Sequence, residues 1–121
     1  MNANNEDTSQ GTTTIAPDVL LTIAQLTTLN VNGVSRLGHV QTPVNQLLKR
    51  TQKREGVSIE VLEDVVNVDI YVILVNDVNV RDVSHNIQHE VARAISEMVG
   101  MTVGRVNIHI DDIDYPLEAE A

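Results

Sequence analysis

The sequence predicts an α+β fold: a two-layer domain in the order α–β–β–α–β, with three main strands in a mixed sheet and two helices on one face. Three observations carry it. The chain has 19 Val and 10 Ile against 10 Leu, a β-branched surplus that favours sheet over an all-helical core. Two segments, Val57–Val61 and Val66–Val75, alternate with the two-residue period of a strand, while residues from Pro17 to about Leu29 and from Val80 to Met98 follow helical spacing. The length of 121 residues accommodates one such domain.

The elements follow in order. Residues 1–14 are Asn, Thr, Ser, Gln and Gly with two acids and almost nothing to bury, and are expected to form a disordered polar tail. The single domain is expected over 15–116. Pro17 suits a first helical turn, and Asp18 sits at the positive end of the helix dipole. Val19, Leu20, Ile23, Leu26 and Asn30 are spaced as one stripe, and Asn32-Gly33 is a stop signal. Val34–Leu37 has the character of a short strand, broken by Gly38. Residues 39–56 are expected to be a long basic connection of low order.

Val57-Ser58-Ile59-Glu60-Val61 reads as a strand with one buried face, and Glu63-Asp64 as a tight turn. Val66, Val68, Ile70, Val72 and Leu74 then form the inward row of a longer strand. At its far end Tyr71, Ile73 and Val75 are apolar on the other face too, which marks a central or covered strand and a candidate oligomer face. Asn79 with Asp82 three residues on is a capping pattern. The helix after it is expected to bury Val80, Val83, Ile87, Val91, Ala94, Ile95 and Met98, and to end at Gly100. Val103 to Ile110 alternates again as the closing strand, and Tyr115-Pro116 leads into an acidic tail at 117–121.

Composition excludes several chemistries. With no Cys there is no disulfide, thiol nucleophile or thiolate metal site, and with two Tyr as the only aromatics a platform for stacking bases is nearly excluded. The net charge of −9 disfavours nucleic acid as a partner. The N-terminus lacks the basic and apolar regions of a secretory signal, and the longest apolar run, Ile70–Val75, is far short of the ~20 residues of a membrane span. A cytoplasmic protein is expected, with any membrane contact peripheral or indirect.

Each chemical constellation is weak. His85 and His89 have the spacing that lets two imidazoles share a metal, with His109 or Asp111 as the third ligand, but no Glu follows His85 and exposed polar positions are the simpler reading. Asp111, Asp112 and Asp114 follow the closing strand without the Gly and distal Glu of a calcium loop, and read as a solvated strand end. No serine lies in a glycine-flanked elbow, and no glycine-rich phosphate loop is present. No catalytic, cofactor or metal residue is assigned, and no small-molecule substrate. The feature above background is Lys49, Arg50, Lys53 and Arg54, beside Leu47 and Leu48, a candidate contact for a partner or an anionic lipid.

The linear order of these features resembles a known family. The residues are Ile15-Ala16-Pro17-Asp18-Val19-Leu20 with Val31-Asn32-Gly33-Val34, then Gly56–Val61 with Val68–Val72, then Val78-Asn79-Val80 with Gln88, Val91 and Ala94–Met98. Gly100–Val103 leading to Val106–Ile110 completes the set. Over about residues 15–112 they resemble the alkaline shock protein family, the Gls-type envelope stress response proteins of Gram-positive bacteria. The resemblance implies a non-enzymatic, self-associating protein. It would gather at the inner face of the cell membrane through a small membrane-anchor protein and act in envelope homeostasis and stress. The alternative, from a different class, is an anionic-lipid or nucleic-acid binding module using the basic 49–54 segment.

Overall fold

The computed structural model describes residues 11–40 and 51–115, so the N-terminal tail up to residue 10, the 41–50 part of the basic connection and the acidic tail lie outside the described residues. Helix α1 spans Pro17–Leu29 with Pro in its first turn, as its start signals require. It buries Leu20, Leu21, Ile23, Ala24 and Thr28, whereas Val19 and Leu26 of the expected stripe are exposed, Leu26 by 59%. The helix is apolar on nearly every side, so spacing alone does not say which side meets the sheet.

Strand β1 (Val34–Leu37) follows a turn at Gly33, whose φ is +101° and where an added Cβ would lie 2.7 Å from Val83 Cγ2. Strand β2 (Thr51–Arg54) is a correction to the expected low-order connection. Thr-Gln-Lys-Arg has no apolar alternation, and its strand geometry comes from antiparallel backbone pairing with β3 (Val57–Leu62). The turn between them uses Gly56 at φ +73°. The β3 strand continues through the Glu63-Asp64 turn into β4 (Val65–Val75), antiparallel and in register from Val57↔Ile70 to Leu62↔Val65.

Helix α2 (Val80–Val99) begins where Asn79 accepts the Asp82 N–H at 3.0 Å and ends at Gly100, which is left-handed and donates to the Ser96 carbonyl. Val83, Ile87, Val91 and Ile95 are buried, but Val80 and Met98 are not; Met98 is 71% exposed. The last strand, β5 (Thr102–Asp114), runs parallel to β4 with two register shifts that leave Gly104 and Asp111 as extra residues. It extends four residues past Ile110, so Asp111, Asp112 and Asp114 lie within the strand rather than after it. Backbone pairing with Ile73, Leu74 and Val75 holds them there whatever their charge.

Among the described residues the sheet therefore has five strands, where three main strands are expected from the sequence. β4 is central, with β3 and β1 in succession along one edge and β5 along the other. The even-numbered row of β4 (Val66, Val68, Ile70, Val72, Leu74) joins Val57, Ile59 and the buried residues of both helices in one continuous core. No helix among the described residues is long and apolar enough to cross a membrane.

Candidate interaction surface

Alternation along β4 sends Asp69, Tyr71, Ile73 and Val75 to the sheet face away from the core, and β5 presents Asn107 and His109 beside them. The parallel register sets Asp69 opposite Asn107 and Tyr71 opposite His109. The Tyr71 and His109 rings stack at 4.3 Å between centroids and 12° between planes. Asn107 Nδ2 donates to Asp69 Oδ1 at 3.1 Å, and His109 Nε2 lies 3.1 Å from the same oxygen. The patch lies open on the sheet face, with the His109 and Asp69 side chains 43% and 41% exposed.

At the far end of β5 the three aspartates have separate partners. Asp114 accepts from Ser35 Oγ at 2.6 Å and from the Arg36 fork, Nε to Oδ2 and Nη2 to Oδ1, each at 3.1 Å. Those bonds, the Arg36 bond first, hold the Asp114 carboxyl below the usual carboxylate range, and the same bond raises the Arg36 guanidinium. Asp111 accepts the His39 N–H at 3.1 Å, while Asp112 accepts the N–H of Ile113. Among the described residues no group of three His, Asp or Glu side chains is placed to hold a metal ion. His85 and His89 are exposed on α2, and His109 lies across the sheet from them.

Lys49 and Arg50 lie outside the described residues. Lys53 is exposed on β2, opposite Ser58. Its neighbour Arg54 reaches the helix side, where it pairs with Asp18 at 2.9 Å and donates to Thr22 Oγ1 at 2.7 Å. Of the expected oligomer face, Tyr71 is half-buried in its stack and Val75 is exposed, but Ile73 is only 6% exposed, set in register between Arg36 of β1 and Asp112 of β5. The Asp69–Asn107–His109–Tyr71 grouping went unrecognised in the sequence. The same-face positions in each strand were legible, but the partner strand and its register were not.

A concave feature of about 520 Å³ lies between the end of α1 and α2, lined in part by Asn30, Asn86, Glu90, Arg93, Glu97 and Met98. Its Arg93–Glu90 pair, at 3.4 Å, joins residues one turn apart on α2. The outer side of α1 is different in character: Val19, Leu26 and Leu29 are exposed, and residues 19–35 carry no charged side chain.

Among solved structures, the chain is similar in fold to MamM CTD. A nickel form aligns over 80% of this chain and 99% of that one, at a TM-score of 0.51 and 10% identity. A manganese form aligns over the same shares at 0.50 and 11%. Among curated proteins, Bacillus subtilis YqhY is 26% identical over 118 residues, 97% of this chain and 87% of its own. Streptococcus pyogenes Spy1535 is 35% identical over 104 residues, 85% of this chain and 79% of its own. A family model matches residues 5–115, which takes in every described residue and the segment 41–50 between them. The chain belongs to the alkaline shock protein 23 family, of cell envelope-related function.

Proposed function

We propose that this protein is a non-enzymatic, self-associating scaffold of the cell envelope, cytoplasmic and held at the inner face of the membrane by a small membrane-anchor protein. Its role on this reading is envelope homeostasis and the response to envelope stress. The observation that carries it is the family match over residues 5–115 with its cell envelope-related description. The surface chemistry supports a binding role. The side chains with catalytic potential, Asp69 and His109, sit on an open sheet face, and α1 offers an uncharged outer side with three exposed aliphatic residues.

The test is fractionation of the native cell combined with crosslinking. The protein should sediment with membranes, crosslink to a membrane-spanning protein, and move to the soluble fraction when that protein is deleted. A uniformly soluble protein whose deletion leaves envelope-stress survival unchanged would refute the reading.

A further inference from the structure

β5 forms one margin of the sheet. It is 13 residues long, and among the described residues its outer edge pairs with no strand. A free edge of this length presents a row of backbone donors and acceptors to any chain that can align with them, and monomeric proteins blunt such edges with Lys, Pro, bulges or brevity. The bulges at Gly104 and Asp111 leave a regular stretch, Arg105–Ile110, that contains neither Lys nor Pro. Its described side-chain cover is the Gln88 amide, which donates to the Val106 carbonyl at 2.9 Å. On the core side Val103, Val106, Ile108, Ile110 and Ile113 are all only half-buried, so the margin also carries aliphatic surface.

The strand is complementary to itself. Residues opposite one another in an antiparallel pair share a face, so a two-fold axis relating two copies of β5 has to fall on a residue rather than between two. An axis at Ile108 sets Val106 against Ile110, Asn107 against His109, and Arg105 against Asp111, with Asp112 beside it. An axis at Asn107 instead sets Arg105 against His109 and Asp111 against Val103, which loses the opposite charges. The ion pair forms twice in a two-fold contact, which offsets the repulsion between chains of charge −9.

We propose that the free edge of β5 is covered by a second copy of this chain, the two β5 strands pairing antiparallel about an axis at Ile108 so that the sheets become continuous. The inference rests on the self-association in the proposed function and names its surface. Pairing displaces Gln88 from Val106 and supplies a strand in its place.

Two reciprocal variants of the full chain, Arg105→Asp and Asp112→Arg, test it by sedimentation velocity over a range of concentrations. Asp112 is chosen because Asp111 holds the His39 N–H within one chain. Each variant alone meets its like charge twice and should weaken the dimer about tenfold or more. An equimolar mixture should recover a heterodimer, because both contacts become attractive. Recovery also shows that the single variants are folded. The outward-facing amides of Val106, Ile108 and Ile110 should gain protection from hydrogen exchange as wild-type concentration rises. If the wild type self-associates but neither variant weakens it, or the mixture fails to recover, edge pairing is overturned and self-association stands. A wild type that stays monomeric throughout overturns both.

Discussion

Thr28 is fully buried near the end of α1, and its Oγ1 meets no hydrogen-bond partner among the described residues. Its backbone is satisfied, since the carbonyl accepts from Asn30 and Val31. The side chain therefore bears the cost of an unpaired buried hydroxyl, about 1–3 kcal/mol. Thr28→Val keeps the β-branched shape, has nearly the same helix propensity, and replaces the hydroxyl with a methyl that packs against the same neighbours. The expected gain is about 2 kcal/mol, or roughly 8 °C in Tm for a domain of this size. Thr28→Ala removes the hydroxyl and a packed methyl together, so the two changes should nearly cancel. Urea unfolding at one fixed protein concentration is the assay, because self-association would itself add to stability. A Thr28→Val protein less stable than wild type by 1 kcal/mol or more would refute the reasoning, since the hydroxyl would then have to be hydrogen-bonded.

Ile87→Ala or Ile95→Ala, at positions with no exposure, should cost about 2–5 kcal/mol in the same assay, while Met98→Ala should stay within about 0.5 kcal/mol. Gly56→Ala should lower stability by about 1 kcal/mol or more, because φ is +73° and the added Cβ would lie 2.6 Å from Leu37 Cβ; an unchanged melting temperature would show that the turn relaxes freely. Asp114 has a depressed carboxyl, so its stabilisation is present above the ordinary carboxylate range and is lost as pH falls through the folded value. Arg36→Ala should therefore reduce the loss of stability on the acid side, modestly, and less again in high salt, since the pair is exposed. Ile73→Lys should destabilise the fold itself, since Ile73 is buried, whereas Val75→Lys, at an exposed position, should stay within about 0.5 kcal/mol of wild type in the same assay; equal losses for the two would show that burial does not separate them.

Local signals were sufficient where neighbouring residues in sequence settle the geometry. Asn79 and Asp82 mark the start of α2, Gly100 its end, and the 83–87–91–95 stripe its buried side, because polar residues bound that stripe on both flanks. The β3–β4 hairpin was legible for the same reason: period-two alternation on either side of Glu63-Asp64 leaves one register in which both apolar rows meet the core. α1 was legible as a helix but not in its rotation, since Val19 and Leu26 are as apolar as Leu21 and Ala24. β2 and the last four residues of β5 were missed because backbone pairing to a neighbouring strand makes them strands, and their polar side chains carry no periodic mark.

The candidate surface divides in the same way. Sequence placed Asp69 with Tyr71, and Asn107 with His109, as same-face pairs within their own strands, since alternation is local. Only the tertiary structure set β5 beside β4, in parallel and with bulges at Gly104 and Asp111, and so brought the Asp69 carboxylate, the His109 imidazole and the Tyr71 ring together. Likewise, the Arg36–Asp114 fork joins residues 78 apart, and Arg54 meets Asp18 and Thr22 across the fold. By itself the sequence determined an acidic, thiol-free α+β domain, its principal helices and hairpin, and a family resemblance. The tertiary structure decided that β5 lies at a margin of the sheet with no strand on its outer edge among the described residues, and which side chains stand beside it. Strand neighbour and register depend on contacts between residues far apart in the chain, and no local pattern encodes them.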